Sequence, residues 1–568
     1  MRITGAQLVA KALAQQGVDT FFFIMGAPMT VPEGACIAAG MRGIDVRHEQ
    51  AAAMMAHAYS RISNRPGVCM ACSGPGALNF GTGLANALVD CAPVVALGGA
   101  SPLNEYGRGA FQEFDQLAAM RPLVKWAERV YETRRIPELI NQAFRMAVSG
   151  KPGPVYLDLP GDILIAGVEE DAVAWPSRPP TDHRARPLGD QSLIAQAAVI
   201  LAEAERPVVI SGSGVLWSDA ADALKSWVDR TGIPFYTTPQ GRGVVPEDHP
   251  YCYPIARSTA LREADAVLVV GTRLNYVFGH GQAPRFHPKV RLIRIDIDPS
   301  EIAATAQVEV GIVADARAAL EQLAAAVGDH VTPARTAAWR ERLAKQEAEK
   351  APQLEEQIST DQSPIHPLRL CKEIRDFLPR DAILAVDGQE ILNYGRQTIP
   401  AYVPRHRLNS GPFGTMGVGL PFGLGAKAAK PDVMVLVLHG DGSFGLNGME
   451  LDTAVRHKLP VLVVISLNGG WTADPKREKA GRELGYTRFD EVAKALGCAG
   501  EWVERAEDIR PALERAAAAV NSGKPALVNV VTIGAPARRR CASRRPAPEA
   551  ALAVPCPHPV CSIRNPST

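Results

Sequence analysis

Two short stretches carry residue types suited to a hard cation and a phosphate. Gly440-Asp441-Gly442-Ser443 is followed, 27 residues after Asp441, by Asn468-Gly469-Gly470. The Asp441 carboxylate, the Asn468 side-chain oxygen and the Gly470 carbonyl are hard oxygen donors of the kind Mg2+ takes. The ion fills the rest of its octahedron with phosphate oxygens and water. Gly442 and Ser443 lead into a helix whose free N–H groups suit a diphosphate.

The elements that must position these residues are legible around them. Val433 to Leu438 is a continuous apolar run, read as a buried parallel strand. Gly440, Gly442 and Gly445 let the backbone turn. Met449, Leu451, Ala454 and Val455 recur at helical spacing and predict a helix over Asn447 to Lys458. Val461 to Ile465 reads as a second buried strand. A β-α-β unit of this kind brings the carboxyl ends of both strands to one edge, where ligands bind in open α/β sheets.

Length and composition narrow the classes. At 568 residues the chain has room for about three domains. Hydrophobic content of 46% with 21% charge is ordinary for a globular protein, and a formal net charge of +1 argues against nucleic acid or an acidic membrane as partner. No apolar run reaches the roughly 20 residues that span a bilayer. The ten cysteines show no framework spacing, and Cys69-Met70-Ala71-Cys72 falls inside a predicted buried strand. The expectation is a reduced, cytoplasmic protein.

Three α/β blocks follow from alternating strands and helices: 1–180, 188–345 and 360–534, each read as a doubly wound α/β domain. Predicted strands include Thr20 to Ile24, Val68 to Cys72, Val94 to Leu97 and Val155 to Asp158 in the first. Pro207 to Ile210, Ala266 to Val270 and Arg291 to Ile295 fall in the second. Trp175 to Pro187 reads as a linker and Glu341 to Gln357 as a charged helical connector. The first and third blocks have similar size and pattern. The tail 535–568 is rich in Arg and Pro, lacks periodicity and is expected to be disordered.

The GDG stretch and the downstream Asn resemble the signature of thiamine-diphosphate (ThDP) enzymes. In that family GDG and an Asn-Asn pair hold Mg2+ and the cofactor's diphosphate. The first Asn of the pair is Leu467 here, so an outer-shell hydrogen bond is lost, while Asn468, the metal ligand of the pair, remains. The resemblance implies pyrimidine-binding, central and diphosphate-binding domains in that order. It places Glu49, in His48-Glu49-Gln50, against the aminopyrimidine as the residue that activates the cofactor. Ser73-Gly74-Pro75-Gly76-Ala77-Leu78-Asn79 matches the Gly-rich loop beside the pyrimidine and brings in Pro75 and Asn79. Ser410-Gly411-Pro412-Phe413-Gly414-Thr415-Met416-Gly417 matches the segment that props the cofactor, with Met416 under its rings and Gly414 holding the pyrimidine. Gly388 and Gln389, in Asp387-Gly388-Gln389-Glu390, are implied as further diphosphate contacts. Because Glu49 and Asp441 lie on different domains, the resemblance implies a site shared between subunits: a homodimer at minimum, with a homotetramer expected.

The middle domain points to one branch. Pro239 to Pro250, Ala256-Arg257-Ser258, Leu274-Asn275-Tyr276, His280-Gly281 and Pro284-Arg285-Phe286 resemble 2-hydroxyacyl-CoA lyase and, less closely, oxalyl-CoA decarboxylase. Acetolactate synthases share the GDG region and Phe111-Gln112-Glu113. The branch implies cleavage of a 2-hydroxyacyl-CoA to formyl-CoA and an aldehyde or ketone, reversibly as an acyloin condensation. Two alternatives stand beside it: a pyruvate-decarboxylating carboligase of the acetolactate synthase type that binds FAD, and a catalytically weakened binding protein. Gln112, Glu113 and His48 are candidates to polarise the carbonyl or move protons. Arg257, Arg405 and Arg407 are candidates for the CoA phosphates. Ile210-Ser211-Gly212-Ser213-Gly214 with Ile295-Asp296-Ile297-Asp298-Pro299 is a partial dinucleotide-fold pattern, and by resemblance ADP is its expected occupant.

Overall fold

A computed structural model describes residues 1–176, 185–471 and 478–533. The tail 535–568 and most of the linker expected between Trp175 and Pro187 lie outside the described residues. Strand β1 (Arg2–Thr4) pairs antiparallel with β8 (Gly167–Glu169) and ties the N-terminus to the end of the first block.

Among the described residues, every other strand lies in a parallel sheet. The first sheet contains β2 (Thr20–Phe23), β3 (Arg42–Asp45), β4 (Gly67–Ala71), β5 (Val94–Ala100), β6 (Trp126–Arg129) and β7 (Val155–Pro160). Their spatial order is β3-β2-β4-β5-β7-β6. The middle sheet, ordered β10-β9-β11-β12-β13, uses β9 (Pro207–Ser211), β10 (Phe235–Thr237), β11 (Ala266–Val270), β12 (Arg291–Asp296) and β13 (Val310–Val313). The third is built from β14 (Ile383–Asp387), β15 (Arg407–Leu408), β16 (Val435–Gly440), β17 (Leu462–Leu467), β18 (Ala499–Val503) and β19 (Ala526–Val531). Its order, β15-β14-β16-β17-β19-β18, repeats the winding of the first sheet strand for strand. Two sheets of one topology account for the similar pattern of the first and third blocks.

The central strands read as unbroken apolar runs because helices cover both faces. Val435 to Leu438 and Leu462 to Ile465 are fully buried. The first and third domains also share a core. The helix Glu49–Ser63 lies on the helix Gly419–Ala429, so closely that a Cβ on Gly425 would come within 2.3 Å of the Met55 carbonyl oxygen. Glycine there lets the two backbones meet.

The charged connector is a 22-residue helix, Ala337–Ile358. Its Trp339 donates Nε1–H to the Pro207 carbonyl in the middle domain at 3.2 Å, and its buried Ile358 joins the apolar cluster of the third domain. It is a strut packed at both ends.

The expected turn after β16 is a helix. Asp441–Asn447 is helical, and a second helix, Glu450–Arg456, replaces the single one expected over Asn447 to Lys458. Phe444 anchors the first of these in the core. Gly442 is needed there for space: a Cβ on it would lie 2.7 Å from the Trp471 ring. Among the described residues, no helix is long and apolar enough to cross a membrane.

Candidate active site

The ends of β16 and β17 bring Asp441 and Asn468 together, as parallel neighbours in one sheet must. The N–H of Gly470 donates to Asp441 Oδ2 at 2.9 Å and to Asn468 Oδ1 at 3.0 Å, so both oxygens converge on one point. Asp441 Oδ1 accepts from Gly442 N–H at 2.9 Å. Burial pushes the Asp441 carboxyl up to about 6 against the lowering effect of these N–H groups and of Arg482. Arg482 is itself buried, and its guanidinium donates to the carbonyls of Asn468 and Gly469, each at 3.4 Å.

Behind this edge the polar groups face inward. Ser443 Oγ donates toward the carbonyls of Gly440 at 3.0 Å and Asp387 at 3.3 Å, and lies 3.1 Å from His439 Nδ1. The hydroxyl therefore braces the strands, and Ser443 can serve a phosphate through its backbone N–H. Burial raises Asp387 to about 7 and lowers His439 to about 3. Gly388 holds φ +118°, and a Cβ on it would lie 3.1 Å from Gly440 N, which places Gln389 beside the GDG turn. The loop bearing Gly414 (φ +76°) and Met416 is pinned by Asn447 Nδ2, which donates to the Gly417 carbonyl at 2.8 Å.

In the first domain, His48 caps the helix Glu49–Ser63, its Nδ1 accepting from Gln50 N–H at 3.0 Å. Glu49 is 8% exposed, and its Oε2 accepts from Asn79 Nδ2 at 2.9 Å. Pro75 begins the short helix Pro75–Asn79 that delivers Asn79. Gln112 sits over the preceding turn, its Oε1 accepting from Ser73 Oγ at 3.0 Å. These hydrogen bonds of Glu49 stay in the first domain, and those of Asp441 stay in the third. A hollow lined by His48, Gln50, Thr82, Phe413, Met416 and Leu446 brings the cap of the Glu49 helix to the Met416 loop.

Family profiles cover more than half of this chain. Residues 3–119 match the N-terminal TPP-binding domain of thiamine pyrophosphate enzymes, 194–323 the central domain and 392–530 the C-terminal TPP-binding domain. The chain belongs to the thiamine-diphosphate enzyme family. Human 2-hydroxyacyl-CoA lyase 1 is 32% identical over 554 residues, 93% of this chain and 94% of the relative. Oxalyl-CoA decarboxylase of Escherichia coli (strain K12) is 32% identical over 540 residues, 93% and 94% of the two chains. A probable acetolactate synthase of Mycobacterium bovis is 36% identical over 539 residues, covering 93% and 95%. With these relatives the protein is a ThDP-dependent carbon–carbon lyase.

The donor set of this ThDP enzyme fits the cofactor and a divalent cation. Asp441 is a buried carboxylate raised by desolvation, the kind of group a cation stabilises most. Asn468 adds an amide oxygen beside it.

Three of the residues singled out for substrate make structural contacts. Glu113 accepts N–H bonds from Gly107 (2.6 Å), Ala110 (2.9 Å) and Gly109 (3.1 Å), which hold its carboxyl below the usual range. It braces its own loop. Arg407 is 4% exposed and spends its guanidinium on the carbonyls of Gly395 and Ile399 inside the third domain. Arg405 reaches across to the Leu216 carbonyl and Asp219, bracing the third domain on the middle one. Arg257 is different. It lies over the Phe278 ring at 5.9 Å, and burial together with nearby Arg285 lowers its pKa.

The middle sheet opens at its carboxyl edge into a cavity of about 560 Å³ lined by Ser213, Gly214, Thr272, Arg273, Asp296 and Lys151. Gly214 and Gly271 meet at its floor, where a Cβ on Gly214 would lie 2.6 Å from Gly271 Cα. Sequence reasoning found the Gly and Asp residues of this cavity but not Lys151, which the first domain contributes. It also missed Arg482, which reaches the Asn468 edge only through a chain return that local pattern does not signal.

Proposed function

We propose that the enzyme cleaves the C1–C2 bond of a 2-hydroxyacyl-CoA, giving formyl-CoA and an aldehyde or ketone, and that it runs the condensation in reverse. The observation that carries this reading is the likeness to 2-hydroxyacyl-CoA lyases along nearly the whole chain, to which the Arg257–Arg285 pair adds a place for CoA phosphate.

In this reading Asp441, Asn468 and the Gly470 carbonyl hold Mg2+, while Gly388, Gln389 and the N–H groups of Gly442 and Ser443 face the diphosphate. Met416 and Gly414 support the rings, and Pro75 and Asn79 shape the pyrimidine side. The bound cofactor supplies an electron sink for the pair released when the C1–C2 bond breaks. Glu49, with Oε2 engaged by Asn79, keeps Oε1 to share a proton with the pyrimidine ring. His48, accepting at Nδ1, carries its proton at Nε2 and can donate it to a substrate oxygen. Gln112, anchored through Oε1, offers its NH2 group to the carbonyl.

Exposed apolar side chains flank both half-sites: Phe111 and Phe114 around Gln112, and Phe413 and Leu446 beside Met416. A second copy of the chain would cover them and complete the site, so a homodimer is the minimal active unit and a tetramer the expected one. The middle-domain cavity is assigned to an adenine nucleotide, ADP.

A second reading rests on the 36% identity to an acetolactate synthase. Incubation with ThDP and Mg2+ separates the two. Formation of formyl-CoA and an aldehyde or ketone from a 2-hydroxyacyl-CoA supports the lyase, and acetolactate from pyruvate alone, with bound FAD, supports the carboligase.

A further inference from the structure

Asn468 can turn either its oxygen or its NH2 group toward Asp441, and only the oxygen can ligate a cation. Two contacts decide which. Its Oδ1 accepts from Gly470 N–H at 3.0 Å, but that N–H is shared with Asp441 Oδ2 at 2.9 Å. On its other side Nδ2 donates to Glu390 Oε2 at 2.8 Å. A carboxylate has no hydrogen to give, so it selects the NH2 group, and a charge-assisted bond is about twice as strong as a neutral one.

The neighbouring position offers no alternative. Leu467, which stands where the family carries the first Asn of its pair, is fully buried in the core and has no polar side-chain atom. Glu390 comes instead from the first turn of the helix Glu390–Thr398, just past β14, which lies next to β16 in the sheet.

We propose that Glu390 is the positioning residue of the metal site: its carboxylate holds Asn468 with Oδ1 turned toward Asp441 and NH2 turned away. This rests on the metal assignment of Asp441 and Asn468 made above. Glu390 acts through Asn468, so its removal weakens the cation site without dismantling the fold.

The test is a Mg2+ titration of the full chain at fixed, saturating ThDP, following cofactor uptake by calorimetry rather than turnover. Glu390→Ala should raise the Mg2+ concentration for half-saturation about tenfold, with ThDP affinity at saturating Mg2+ and the apo melting temperature nearly unchanged. Glu390→Gln, whose side-chain oxygen still accepts from Asn468 Nδ2, should recover most of the loss. In an Asn468→Asp background, with no NH2 group to misplace, Glu390→Ala should no longer weaken Mg2+ uptake. Wild-type titration by Glu390→Ala overturns the proposal. So does a Glu390→Gln variant as weak as Glu390→Ala, or a loss that persists in the Asn468→Asp background. An Asp441→Ala control that takes up Mg2+ like the wild type would instead overturn the metal assignment itself.

Discussion

Asn79 Nδ2 donates to Glu49 Oε2 across 2.9 Å, joining the Gly-rich loop of the first domain to the start of its central helix. The bond engages one carboxylate oxygen and leaves the other for the proposed contact with the pyrimidine.

Glu49→Gln keeps this shape but cannot share a proton with the pyrimidine. Turnover should fall by roughly two to four orders of magnitude, the range for an acid–base group. ThDP should still bind, because the residues assigned to its diphosphate are untouched. Steady-state kinetics paired with cofactor titration checks both parts, and near-normal turnover would remove Glu49 from the mechanism.

Asp441→Ala removes the carboxylate on which the metal reading depends. Apparent ThDP affinity should drop by at least about tenfold, since the cation and diphosphate bind as a unit. Chelating Mg2+ from the wild type should reproduce the loss, and the variant should no longer respond to chelation.

Leu467→Asn restores the Asn-Asn pair of the family, and sequence alone would predict tighter or unchanged cofactor binding. The fully buried side chain at the end of β17 adds a stability cost and favours the unchanged outcome. An amide in an apolar core should cost about 2–4 kcal/mol. The melting temperature should fall by several degrees with no gain in ThDP affinity.

Glu33 is 2% exposed, and burial raises its carboxyl from the usual range to about 8. The folded state therefore holds a proton that the unfolded chain has lost above about pH 4.5. Stability should fall as pH rises from about 5 to 8, by up to about 1.4 kcal/mol per unit. Glu33→Gln should flatten this slope and melt higher than the wild type at pH 8, with a smaller difference at pH 5. Parallel melting curves at both pH values decide it.

Much of the α/β framework can be read in the chain. Apolar runs such as Val433 to Leu438 lie within one residue or two of the strands they predict, because a strand covered on both faces needs no alternation. The glycines after β16 predict a tight turn before the next helix, and the structure starts the helix at Asp441 itself. Packing of Phe444 in the core and of Trp471 against Gly442 makes helix the better state.

The sequence by itself determined the three α/β blocks, the Asp441 and Asn468 pair and the helix that Glu49 begins, since each is written in local spacing and residue type. Only the tertiary structure decided which polar groups are spent elsewhere. Arg407 and Glu113 have suitable chemistry but are consumed by nearby carbonyls and N–H groups. Glu390 and Arg482 lie 78 and 14 residues from Asn468, and the first meets it through a neighbouring strand, the second through a return of the chain. The physical reason is that a side chain's role depends on what desolvates and pairs it, and those neighbours come mostly from distant parts of the chain.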